Sequence, residues 1–186
     1  MQQLLTEHFH EWTKILQPNI NLVCWQRKIS KETESYAQQL LAENFSWKQS
    51  LEGVVPRHWQ RSLQAHLPKF SGKDQFIDDL ILLSEAFCLL TDSQGIGVRL
   101  RSLSQPMCPR WHVDHVPLRL VTAYVGCGSE WHMGEGQTNS HEIQRMQSGW
   151  VALLKGSNWP DPDSRAIWHR SPFTHERRLL CTLDAL

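Results

Sequence analysis

From Gly95 onward the chain offers only short β-rich runs. Gly97–Arg101 alternates apolar and polar, and Leu118–Val125, Gly149–Lys155 and Arg178–Leu183 follow, each set off by turns rich in Pro, Gly or Asp. Short strands without intervening helices imply an antiparallel double-sheet sandwich. The first half supplies the cover for it. Residues 3–16 carry Leu4, Leu5, Phe9, Trp12, Ile15 and Leu16 at spacings of three and four, which predicts an amphipathic helix ended by Pro18. Asn21–Arg27 reads as the one strand of this half. Ser30–Asn44 is a second helix with Ser30 at its N-cap, and Pro56 and Pro68 bracket a third over Arg57–Leu67. Asp74–Leu90, with Phe76, Ile77, Leu80, Leu83 and Phe87, is a long helix buried on a broad face. The expected fold class is α+β: a helical N-terminal layer packed on a C-terminal antiparallel jelly roll, a cupin-like double-stranded β-helix. The 186 residues fit a single domain over 1–186, with 1–94 mainly helical support and 95–186 the core.

Charge narrows the partners. Lys plus Arg and Asp plus Glu number 19 each, so no broad field attracts a nucleic-acid backbone or an anionic membrane. That weighs against duplex nucleic acid and leaves a flipped base, a peptide side chain or a small metabolite as substrate classes. Nothing in the sequence sets an oligomeric state. The five cysteines (24, 88, 108, 127, 181) form no C-x-x-C pair, and an odd number suits a reducing compartment rather than a disulfide framework. Without a basic, apolar leader or an apolar run near the ~20 residues that span a bilayer, the expected location is the cytoplasm.

The chemistry lies in Cys108-Pro109-Arg110-Trp111-His112-Val113-Asp114-His115 and in His169. A His-x-Asp pair followed much later by a single His is the order in which two imidazoles and one carboxylate form the facial triad of non-haem iron sites. In a strand, residues two apart face one side, so His112 and Asp114 can share a metal while Val113 points away. By the same phase His115 turns to the opposite face, in a supporting or substrate-contacting position. Cys108, Cys127, His132 and His141 could instead assemble with His115 around Zn(II), although their spacing matches no common zinc module. Trp111 and Trp168, each next to a ligand, read as barrel packing, whereas Trp131 and Trp150 are freer to wall a pocket. Nine of the twelve arginines follow residue 95, a skew that suits binding of an acidic small molecule.

With Arg178-x-x-x-Thr182 placed nine residues beyond His169, the set resembles the Fe(II)/2-oxoglutarate dioxygenase superfamily, its prolyl-hydroxylase-like and AlkB-like branches in particular, over residues 95–184. The resemblance implies that His112, Asp114 and His169 ligate Fe(II). It implies that Arg178 pairs with the distal carboxylate of 2-oxoglutarate, assisted by Thr182 and by Tyr124. The activity implied is hydroxylation of a substrate C–H bond with release of succinate. Two departures stand out: Leu180 occupies a position usually small or polar in those families, and Arg177 competes with Arg178. A barrel that excluded 2-oxoglutarate would be a metal-binding protein of another kind. The run Cys108–Leu120, Leu153–Gly156 and His169–Pro172 also resemble an uncharacterised bacterial family of unknown function, whose association with zinc-homeostasis genes implies a link to zinc handling.

Overall fold

The computed structural model describes residues 1–52, 56–134, 136 and 142–186. Helix α1 (Lys31–Ala42) starts where the capping signal lies: Ser30 Oγ accepts the Thr33 N–H at 3.0 Å, and Glu32 and Glu34 in the first turn oppose the helix dipole. Ser30→Ala is expected to cost about 1 kcal/mol, read as a lowered midpoint of thermal unfolding. Helix α2 (Pro56–His66) fills the segment between the two prolines. Helix α3 (Lys73–Thr91) buries Phe76, Ile77, Leu80, Leu83 and Phe87, one broad stripe at helical spacing.

The strands are β1 (Gln2–Thr6), β2 (Ile20–Trp25), β3 (Trp47–Glu52), β4 (Gly95–Leu103), β5 (Leu118–Val125), β6 (Glu130–His132), β7 (Gln144–Arg145), β8 (Val151–Lys155), β9 (Trp168–Arg170) and β10 (Arg178–Ala185). Seven form one sheet in the order β1-β2-β8-β5-β10-β4-β3, and a small sheet runs β7-β6-β9. The result is mixed α/β with a large sheet and jelly-roll-like strand pairing. None of the described helices is long and apolar enough to cross a membrane.

The first half is less helical than its periodicity predicts. Residues 3–16 divide into β1, which pairs parallel with β2, and a 3-10 helix over Phe9–Leu16. Phe9, Trp12 and Ile15 recur at intervals of three, the repeat of a 3-10 turn rather than an α-helix. Strand β3 also joins the large sheet as an edge. Its composition, Trp-Lys-Gln-Ser-Leu-Glu, is the polar kind that protects an edge and hides it from a search for apolar runs. The division at residue 94 therefore does not separate helices from sheet.

Alternation along the central strands sorts side chains into two cores. Leu120 and Tyr124 on β5, Leu153 on β8, and Leu179, Cys181 and Leu183 on β10 pack toward the helices. Val121, Ala123, Leu154 and Leu180 turn the other way, toward Trp131 and Ile167. A buried ion pair ties the helical side together: Arg27 grips Asp79 of α3, with Nη2–Oδ2 at 2.9 Å, and Tyr124 donates its hydroxyl to the same carboxylate at 2.7 Å. The second, inter-sheet space is where the site forms.

Candidate metal centre

His112, Asp114 and His169 come together as expected. One ligand atom from each lies within 4.8 Å of the others, and among the described residues no other group of three His, Cys, Asp or Glu does so. The local structure is not a continuous strand, however. His112 makes a single bridge to His169, through His112 N–H to His169 O at 3.1 Å and the reciprocal bond at 2.9 Å, while Asp114 lies in the loop before β5. Backbone pairing with β9, not strand alternation, brings the two imidazoles together at 4.4 Å between ring centres.

The hydrogen bonds fix which atoms face the centre. His112 Nδ1 lies 3.0 Å from the Arg110 carbonyl and His169 Nδ1 3.1 Å from that of Ile167. A carbonyl only accepts, so each Nδ1 carries a proton, and in the neutral ring each Nε2 keeps its lone pair, the arrangement that orients metal-binding histidines. His169 Nε2 stands 3.2 Å from Asp114 Oδ2, a buried oxygen that accepts no hydrogen bond from the described residues. With His169 neutral, two lone pairs face one another across a gap that a cation would bridge. Burial pushes the Asp114 carboxyl up, but the positive charge that His169 carries when protonated, with Arg119 and His112, outweighs it and holds it below the ordinary carboxylate value. Burial also pulls His112 below the ordinary imidazole value, partly opposed by its bond to Arg110. Both shifts favour the ligating forms.

Arg119, absent from the sequence-derived set, holds the other carboxylate oxygen. Its Nη1 donates to Asp114 Oδ1 at 2.6 Å, while Nε and Nη2 clasp Asp184 at 2.7 and 3.1 Å, and Arg99 meets Asp184 at 2.7 Å. The signal was present: Arg119 shares the inward phase of Val121 and Ala123 on β5.

Arg178, Leu180 and Thr182 share the inner face of β10, and the latter two line a cavity of about 240 Å³ with all three candidate ligands. Arg178 is 1% exposed. Its Nη1 reaches only the Cys127 carbonyl, at 3.4 Å, and its buried Nη2 has no partner among the described residues. Burial lowers its pKa from the ordinary value, partly offset by Cys127 and Glu176. Gly126, at φ 76°, lets the chain pass over it: a Cβ there would lie 2.9 Å from Arg178 Cγ.

The remaining arginines explain their own clustering. Arg145 and Arg170 share Glu130, and Arg177 donates to the Leu41 carbonyl and Asn44 at the end of α1, so Arg177 does not compete for the cavity. Tyr124, expected beside the co-substrate, faces α3 instead. Its phase with Leu120 and Thr122 is the helix-facing phase, so its hydroxyl serves Asp79.

His115 is exposed and bonds to Ser157 Oγ at 2.9 Å. Cys108 lines the cavity, whereas Cys127 and the buried His132 join no described metal-binding group, and His141 lies outside the described residues. Trp111 and Trp131 are buried, Trp131 in the inter-sheet core. Larger hollows of about 430 and 550 Å³ around Gln147 and Ser148 contain none of the three ligands.

Solved structures with this fold share little sequence with the chain. Dioxygenase for auxin oxidation 1 from Arabidopsis thaliana, solved with 2-oxoglutarate, matches at a TM-score of 0.61 with 10% identity, covering 100% of this chain and 92% of that one. The dioxygenase for auxin oxidation of rice matches at 0.61 with 8% identity, over 100% and 83%. JOX2 in complex with 2OG, Fe and JA matches at 0.55 with 8% identity, over 99% and 74%. No curated protein matches the sequence. The model of the family described as "Protein of unknown function (DUF1826)" matches residues 6–184.

Proposed function

The chain belongs to the DUF1826 family, whose description assigns no activity, and from its own site we propose that it is an Fe(II)- and 2-oxoglutarate-dependent oxygenase. One observation carries the reading: the buried Asp114 Oδ2, with no hydrogen bond from the described residues, stands 3.2 Å from His169 Nε2, the ring nitrogen left free by the bond at Nδ1. Two imidazoles and one carboxylate on one side of a cavity leave further coordination positions open, the donor set suited to Fe(II). The fold shared with solved 2-oxoglutarate dioxygenases supports the same assignment.

His112, Asp114 and His169 would hold the metal, which with 2-oxoglutarate and O₂ supplies oxidative decarboxylation and hydroxylation of a C–H bond. Arg119 keeps Asp114 Oδ1 occupied and so presents Oδ2 alone as ligand. Arg178 offers a desolvated guanidinium to the distal carboxylate of the co-substrate, with Thr182 on the same strand face as an additional donor. Val121, Leu154 and Leu180 make the cavity wall apolar and exclude water from the reacting atoms.

The test is an anaerobic titration of the metal-free protein with Fe(II) and 2-oxoglutarate. A visible charge-transfer band, followed by succinate release on admitting air, is the expected outcome; no band and no succinate would overturn the assignment. A second reading, a zinc-binding protein without oxygenase activity, draws on Leu180, an apolar residue on the cavity wall between Arg178 and Thr182. Tight Zn(II) with no co-substrate binding would favour it.

A further inference from the structure

A ligand on a strand is aimed by its ladder, but Asp114 has no ladder. Residues 113–117 follow the single bridge at His112 and precede β5, so their backbone carbonyls need partners from elsewhere. One turn supplies those of residues 114–117. Beyond β8, Ser157 N–H donates to Asp114 O at 2.8 Å, Asn158 Nδ2 to His115 O at 3.0 Å, Asn158 N–H to Val116 O at 3.4 Å and Gly156 N–H to Pro117 O at 2.9 Å. Four consecutive carbonyls are taken by three consecutive residues. Ser157 Oγ adds a contact to Asp114 O at 3.3 Å and one to His115 Nδ1 at 2.9 Å. The approach leaves no room for a side chain at 156: a Cβ there would lie 2.0 Å from Val116 O and 2.7 Å from Asp114 O.

We propose that the Gly156–Ser157–Asn158 turn is the positioning element of the metal centre, fixing the backbone of Asp114 while Arg119 fixes its carboxylate. The inference rests on the reading of Asp114 as a metal ligand. Division of labour follows from the geometry. Arg119 sets which oxygen is free, and the turn sets where that oxygen stands relative to the two histidines, which β9 and its bridge hold independently. His115 takes a place in this scheme too, as a side chain that steadies Ser157 rather than one that meets substrate.

Co(II) is the probe, titrated into the metal-free full-length protein, because its visible absorption reports both affinity and coordination geometry. The variants are Ser157→Ala combined with Asn158→Ala, Ser157→Thr, and Gly156→Ala. The double variant is expected to bind Co(II) at least about tenfold more weakly, with an altered visible spectrum, while the metal-free protein melts near the wild-type temperature. Ser157→Thr keeps the hydroxyl and should bind as wild type; Gly156→Ala, whose methyl meets backbone, should lose the most. Co(II) binding by both the double variant and Gly156→Ala within about twofold of wild type, with unchanged spectra, overturns the proposal. So does a loss of affinity matched by a general fall in melting temperature, since the turn would then be structural only. Wild-type protein that binds no Co(II) instead overturns the ligand assignment beneath it.

Discussion

Asp114→Ala is expected to lack the charge-transfer band that the proposed function predicts for the wild-type protein with Fe(II) and 2-oxoglutarate, and with it succinate release. Asp114 is the single anion of the candidate donor set, and its Oδ2 is the atom that no donor among the described residues satisfies. Removing it leaves two neutral imidazoles against a dication in a poorly solvated cavity. The variant should still fold. Arg119 keeps both contacts to Asp184, and the turn at 156–158 binds the backbone of residue 114, not its side chain. Absorption under anaerobic conditions reads the first effect and thermal unfolding the second. A band of undiminished intensity removes Asp114 from the ligand set.

Arg178→Met should separate stability from function. A guanidinium at 1% exposure, holding one long hydrogen bond and one nitrogen without a partner, is a buried charge that pairs with no carboxylate among the described residues. Replacing it with an apolar side chain of similar length should stabilise the metal-free protein by roughly 1–3 kcal/mol, a few degrees in melting temperature for a chain of this size. The same change should weaken 2-oxoglutarate on the order of a hundredfold, the loss of about 3 kcal/mol of charge-assisted hydrogen bonding. Fe(II) affinity without co-substrate should hold. A variant that melts lower and binds 2-oxoglutarate normally would make Arg178 a prop for the Cys127 carbonyl and nothing more.

The long elements and the triad could be read from residues alone because each leaves a local mark. Ser30 signals a helix start within three residues, and the stripe from Phe76 to Phe87 repeats often enough to define α3. The order His-x-Asp, then His, survives whatever backbone carries it. What could not be read depends on pairing between distant segments. Strands β6, β7 and β9 are two or three residues long, too short for any period. Tyr124 and Arg119 lie five residues apart on one strand, and the face each takes is decided by which side the helices cover. The tie between residues 114–117 and 156–158 has no sequence signature beyond a glycine whose need for space shows only once its neighbour is in place.

The reciprocal bond pair between His112 and His169 is an isolated bridge beside β9, outside the three strands of the small sheet. Any ion bound by those two residues and Asp114 therefore staples segments 57 positions apart in the chain, at the sheet margin where hydrogen bonding is thinnest. Such an ion acts as a fastener as well as a reagent. Its free energy of binding would add to the stability of the folded chain. An occupied site would then unfold at a higher temperature than an empty one, and metal content would be read in the melting curve as well as in the chemistry.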